Sequence, residues 1–219
     1  MNIENIITAR GLESLYHFTT LENYMSILER GYIFSREKID LLKIENDGHF
    51  TGDYTESLDQ HRLDGLKNYI NTSLSRPNWY LMEKYKNRKD FSDLEWCIIE
   101  LDVSSLSITS TLFSVCNAAS NTAQRYGIIG GAKGLDALFQ PEVVTPRKVY
   151  SRHNLPCYYT TDIQAEVLVK DQLSIEKIKK CYLPSTDDVT RHDRGFRLLH
   201  LEKNHFTAKP ELFLSPILK

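Results

Sequence analysis

Apolar residues fall along this chain in short runs separated by polar turns, and the runs have two different periods. Trp96-Cys97-Ile98-Ile99-Glu100-Leu101-Asp102 is nearly continuous in apolar residues and predicts a strand central to a sheet. Tyr69 to Leu74 alternates as a strand does, and Ala165 to Val169 and Ile178 to Leu183 add two more apolar, β-branched runs. Leu15 to Tyr24 reads as a short strand that ends at a helix start. Thr19 with Glu22 three residues on matches a capping box, Leu21, Met25 and Leu28 form one apolar helix face, and Gly31 is placed as its C-cap. Tyr32-Ile33-Phe34 then predicts another strand, and Asn78 to Tyr85 a helix.

The intervening stretches carry turn signals. Residues 36–68 are polar and weakly periodic, with Asn46-Asp47-Gly48 and Gly52-Asp53 as turns. Phe113 to Ser120 mixes small polar and apolar residues and predicts a loop packed against a site. Gly127 to Gly134 predicts a flexible link into a short helix from Leu135 to Phe139; it matches neither the phosphate-loop pattern nor the dinucleotide fingerprint. The segment from Leu155 to Ile163 predicts a mobile, hydroxyl-rich and aromatic loop around Pro156.

Composition narrows the classes. At 41% hydrophobic and 26% charged, the 219 residues suit a globular protein with a real core. No apolar run approaches the ~18 residues of a membrane span, and the N-terminus has no basic region followed by an apolar one, so a cytoplasmic protein is expected. Cys97, Cys116, Cys157 and Cys181 have no C-x-x-C spacing, which argues against a zinc site or a disulfide framework. The net charge of -2 excludes a generally basic nucleic-acid binder but hides local patches. Arg76, Lys84, Lys86, Arg88 and Lys89 are interleaved with Trp79, Tyr80 and Tyr85, the pairing of cations and rings that single-strand recognition uses and that an ordinary amphipathic helix also shows. A basic tail, with Arg191, Arg194, Arg197, Lys203 and Lys209, offers a second electrostatic contact or a solvated face.

Three places carry candidate chemistry. His17 and the Thr19 hydroxyl meet the free N–H groups of a helix start, where a phosphate or ribose can be held; the plainer reading is a packed ring and a cap. Arg62, in a loop before a strand, can clamp a diphosphate or pair with Asp59 or Asp64. Gln164 and Glu166 are expected on the same face of a strand at its rim, either as a functional amide and carboxylate or as two polar residues facing water.

Taken in order, Tyr16-His17-Phe18-Thr19 with Asn23, Arg62-Leu63-Asp64-Gly65, Asn71-Thr72-Ser73 with Pro77-Asn78, and Gln164-Ala165-Glu166-Val167-Leu168-Val169 resemble the DarT family of DNA ADP-ribosyltransferase toxins. The resemblance implies an α+β fold with an ADP-ribosyltransferase-like split β-sheet core flanked by helices. It implies one domain over 1–219, with a core of about 14–182 and a basic extension over 183–219. It implies NAD+ as co-substrate, no metal, and single-stranded DNA as acceptor, at thymine or guanine. Glu166 would stabilise the charge that develops on the nicotinamide ribose, and Arg62 would orient the diphosphate or help activate the acceptor. His17, Thr19, Asn23 and Ser73 would hold the dinucleotide. Gln164 would face the acceptor, with Tyr158, Trp79, Tyr80 and Lys84 on the strand side; an amide at 164 argues against an arginine acceptor. A partner antitoxin with ADP-ribose hydrolase activity is implied as well. Two rivals stay open, an ADP-ribosyltransferase acting on RNA or protein and a non-catalytic nucleic-acid-binding module of the same fold.

Overall fold

The computed structural model describes residues 2–45, 65–201 and 206–214. Its centre is an eight-stranded sheet in the order β12-β11-β4-β1-β3-β9-β5-β6. The strands that position the site are β1 (Ser14–Thr20), β3 (Tyr69–Leu74), β4 (Trp96–Asp102), β5 (Leu112–Ser114), β6 (Ile129–Gly130), β9 (Glu166–Lys170), β11 (Ile178–Leu183) and β12 (Phe206–Ala208). Neighbours are antiparallel except β11 and β12, which run parallel. Two small ribbons, β2 (Tyr32–Phe34) with β10 (Gln172–Ser174) and β7 (Glu142–Val144) with β8 (Val149–Ser151), stand apart from it.

One irregularity shapes everything else. β1 pairs with β4 along its whole length, from Ser14↔Asp102 to Thr20↔Trp96, but meets β3 at only two positions, Leu15↔Leu74 and Tyr16↔Ser73. The rest of β3 pairs with β9, from Tyr69↔Lys170 to Thr72↔Val167. The sheet therefore splits just past Tyr16, and a wedge opens between β1 and β3, as the expected split-sheet core requires.

β4 is buried on both faces, which is why its sequence lacks alternation. Cys97, Ile99 and Leu101 enter the main core, while Ile98 enters a second cluster with Met82, Tyr182 and Phe213. Each fully buried aliphatic side chain of this kind contributes roughly 1.5–3 kcal/mol. Glu100, on the second face, is held by the Ser14 and Tyr182 hydroxyls and by Lys179 at 3.1 Å. Burial raises its proton affinity, but these hydrogen bonds win and bring its carboxyl below the ordinary value.

Helices α1 (Ile3–Arg10), α2 (Leu21–Arg30), α3 (Arg36–Glu45), α4 (Trp79–Lys86), α5 (Asn121–Tyr126), α6 (Gly131–Ala137) and α7 (Thr186–Leu198) flank the sheet. Two expectations about helix entry need correction. The strand through His17 runs on to Thr20, so Thr20, not Thr19, caps α2 by accepting from the Asn23 N–H. Gly31 ends that helix at φ 77°, as its position suggested. Residues 127–134 are not a flexible link: Gly127 ends α5, and 129–134 form β6 and the first half of α6. Phe113 likewise belongs to strand β5, and only the residues after Ser114 form the expected loop.

Gly134 shows why the glycines are there. A Cβ on this residue would lie 2.0 Å from the Ile129 carbonyl oxygen, so α6 can sit this close to β6 only without a side chain at 134. In an open helix Gly→Ala gains about 1 kcal/mol. Here Gly134→Ala is expected to lose about 1–3 kcal/mol through overpacking, read by urea unfolding. A stabilised variant would contradict the packing described.

Candidate active site at the sheet split

The split brings together three residues far apart in sequence. Where the β1–β3 ladder stops, the His17 ring takes over: its Nδ1–H donates to the Asn71 carbonyl at 2.9 Å. That bond fixes the proton on Nδ1 and makes Nε2 the acceptor of the neutral ring. From the same residue, the Asn71 side-chain amide donates to Glu166 Oε2 at 3.3 Å. The Ala118 backbone N–H donates to that same oxygen at 3.3 Å. Glu166, the first residue of β9, is almost wholly buried. Two oriented N–H donors on one buried carboxylate oxygen fix its position.

Asn71 was not among the expected site residues. Its signal is a lone amide in an otherwise strand-forming run, placed by alternation on the same face as Ser73. Ser73, buried, sits beside it where β3 still touches β1. Two further buried atoms at this place have no hydrogen-bond partner, Asn71 Oδ1 and Ser114 Oγ, and Ser114 pairs directly with Glu166 across β5 and β9. Unpaired buried polar atoms are costly and mark a place where a ligand can supply the missing partner.

Along β1, two residues past His17, Thr19 Oγ1 accepts from the Asn23 side-chain amide at 3.1 Å. The α2 start is less open to an anion than its sequence suggested. The Leu21 N–H already donates to the Glu95 carbonyl at 2.9 Å, and that of Asn23 to Thr20. Tyr16 lies on the other face of β1, where burial, with Glu100 and Tyr159 nearby, pushes its hydroxyl up to about 12 and keeps it neutral. Arg62 lies outside the described residues, and with it Asp59 and Asp64.

The loop before Glu166 is not the mobile segment its composition suggests. Arg152 donates to three of its carbonyls, Tyr159 at 2.6 Å, Cys157 at 2.8 Å and Pro156 at 3.0 Å. Thr160 Oγ1 donates to the Asp162 carbonyl and Thr161 Oγ1 to that of Gln140. Gln164 does not lie on β9 beside Glu166. It sits in the turn before it, its N–H bonded to Asp162 Oδ1 at 2.9 Å. Tyr158 is exposed and packs edge-on against Tyr159, over which the Arg76 guanidinium lies 4.4 Å from the ring centroid. Trp79 is packed against the second cluster with Tyr16 and Phe18, and Tyr80 meets it at 5.5 Å. Lys84 is exposed on α4.

Two arginines of the basic tail are spent on internal pairs. Arg191 bridges Glu95 at 2.8 Å and Asp188 at 2.5 Å, and Arg197 pairs with Asp193 at 2.8 Å. Lys203 lies outside the described residues. Glu95, Asp188 and His192 come close enough together to hold a metal, but Arg191 already supplies the positive charge between the two carboxylates. No helix among the described residues is long and apolar enough to cross a membrane.

Asp162 is fully buried, and desolvation pushes its carboxyl from 3.8 up to about 6, although the Gln164 N–H, Arg76 and Lys148 pull the other way. Between these values the folded protein keeps a proton that the unfolded chain has released, so stability falls as pH rises through that window. Asp162→Asn keeps an acceptor for the Gln164 N–H. It is expected to stabilise the protein at pH 7 by up to roughly 3 kcal/mol, with the gain vanishing below about pH 4. Denaturant unfolding at both pH values checks this, and equal stabilities at pH 7 would contradict it.

The fold has counterparts among solved structures. The chain resembles Thermosipho africanus DarTG in complex with ADP-ribose at 17% identity and a TM-score of 0.58, covering 93% of this chain but only 51% of that one, so it spans about half that protein's length. It resembles Thermus sp. 2.9 DarT in complex with NAD+ (9% identity, TM-score 0.60) and in complex with ADP-ribosylated single-stranded DNA (11% identity, TM-score 0.59). Each of these matches covers 92% of this chain and 96–97% of the other. No curated protein sequence matches it significantly. The sequence model of the single-stranded DNA thymidine ADP-ribosyltransferases matches residues 16–214, from the first site strand to the end of the described chain. The chain belongs to the DarT family of single-stranded DNA thymidine ADP-ribosyltransferases.

Proposed function

We propose that this protein transfers ADP-ribose from NAD+ to thymine bases of single-stranded DNA, with the His17–Asn71–Glu166 line as its reaction centre. The observation that carries this reading is the buried Glu166 carboxylate, oriented by two N–H donors at the mouth of a split sheet, in a chain of this family. Support for the substrates comes from relatives of the same fold that bind NAD+ and ADP-ribosylated single-stranded DNA.

The chemistry follows from what such a carboxylate can do. The bond from the ribose C1 to the nicotinamide nitrogen breaks, its electron pair leaves with nicotinamide, and positive charge builds on the ribose. Glu166 stabilises that charge. In thymidine the one ring nitrogen that still carries a proton is N3, so a bond from C1 to N3 requires that proton to leave, to the carboxylate or through it to water. His17, with its Nδ1–H committed to Asn71, offers Nε2 to a ribose hydroxyl. Thr19, Asn23 and Ser73 are assigned to the rest of the dinucleotide on their family motifs. The unpartnered Ser114 Oγ supplies a hydroxyl for the nicotinamide amide or the ribose. Arg62 is assigned to the diphosphate on its family motif alone. A paired base hides N3, which is why a single strand is the expected form.

A protein that modifies its host's DNA needs an opponent. The Thermosipho africanus relative is a DarTG bound to ADP-ribose. A partner antitoxin that hydrolyses the ADP-ribosyl–thymine bond belongs to the proposal.

The test is incubation with NAD+ and short single-stranded oligonucleotides that each lack one base. Mass gain is expected on every strand with thymidine and on none without it. Glu166→Gln should lower the transfer rate on the order of a thousandfold while NAD+ still binds. Label on RNA or protein in place of DNA, or full activity in Glu166→Gln, would overturn the reading.

A further inference from the structure

Beside the reaction centre lies a cavity of about 390 Å³, between the β3–α4 turn, the β7–β8 ribbon and the loop that ends at Glu166. Two cations, Arg76 and Lys148, and two rings, Tyr80 and Tyr150, line it over an apolar floor that includes Leu155 and Ile163. None of the His17, Asn71 or Glu166 side chains lines it. It is joined to them through the loop itself, whose Thr161 and Ile163 line the cavity five and three residues before Glu166.

Its chemistry is specific. Arg76 is held in place by its donation to the Thr160 carbonyl at 3.3 Å and by the Tyr159 ring, yet its Nε is buried without a partner. A fixed guanidinium at the wall of the cavity suits a phosphate oxygen, and Lys148 adds a second charge. Aromatic rings beside such cations stack on bases whatever their identity. Asp162 behind the loop offsets part of the positive charge, which weakens free anion binding and favours a ligand that also brings a ring. The volume falls within the range of small-ligand sites and has room for one nucleotide.

We propose that this cavity receives the nucleotide next to the acceptor thymidine, its base against Tyr80 and Tyr150 and its phosphate on Lys148 and Arg76. The proposal rests on Glu166 being the transfer site. Lys148 and Arg76 supply affinity for the strand. Tyr80 and Tyr150 supply the rings on which the neighbouring base stacks.

Two variants of the full chain separate these roles. In Lys148→Ala, affinity for a ten-nucleotide strand with a single thymidine should fall, and the slope of log affinity against log salt should become shallower by about 0.7, the value for one phosphate contact on a single strand. Lys148→Arg should restore both. In Tyr150→Ala, which removes a stacking ring, strand affinity should fall on the order of tenfold while the salt slope holds. NAD+ affinity should be unchanged in all three, which also reports an intact fold. An unchanged salt slope in Lys148→Ala would overturn the assignment, as would NAD+ affinity that falls in parallel, which would hand the cavity to the dinucleotide. If the wild-type protein modifies no strand at all, the reading of the reaction centre fails. If it modifies strands and the variants behave like it, only the cavity assignment fails.

Discussion

The structure turns on how Asn71 closes a gap. β1 and β3 separate after two paired positions, and a split sheet exposes main-chain groups that a continuous ladder would satisfy. The His17 ring takes the Asn71 carbonyl, and the Asn71 amide takes the Glu166 carboxylate. One residue thus ties the two half-sheets together and sets the spacing between the imidazole and the carboxylate. Any ligand that enters the wedge meets a centre whose members are already fixed to strands buried in the core, which is the preorganisation that group transfer needs.

The loop ahead of Glu166 extends that rigidity. Arg152 gathers three loop carbonyls, the Thr160 and Thr161 hydroxyls bond within and beyond it, and Arg76 clasps it from the turn after β3. A surface that must choose a base benefits from being fixed before the base arrives, since ordering it on binding would cost affinity. The Asp162 carboxyl, buried and pushed upward, costs stability at neutral pH for the sake of that local geometry.

Much of this was legible in the sequence where burial dominates. Trp96 to Asp102 and Val167 to Val169 read as strands because both faces are covered, and the ordered motifs around His17, Asn71 and Glu166 led to the family. What misled was local composition. Residues 127–134 look flexible because glycine looks flexible, but Gly134 is there for the Ile129 carbonyl it touches, and no local pattern reports that. The loop from 155 looks mobile because its own residues are turn formers, while the arginines that tie it down come from outside it. Gln164 was expected on the strand because alternation extends naturally through Ala165, whereas the Asp162 carboxylate holds it in a turn. Asn71 escaped notice as a site residue because its partner at Glu166 is 95 positions away.

The central claim is that Asn71 places the carboxylate rather than binding the dinucleotide. Steady-state transfer by Asn71→Ala, with NAD+ affinity measured in parallel, tests it most directly. The substitution keeps the backbone carbonyl that His17 uses and deletes only the amide that holds Glu166. The account predicts kcat lower on the order of a hundredfold with NAD+ affinity nearly unchanged. Wild-type kcat in Asn71→Ala would contradict it.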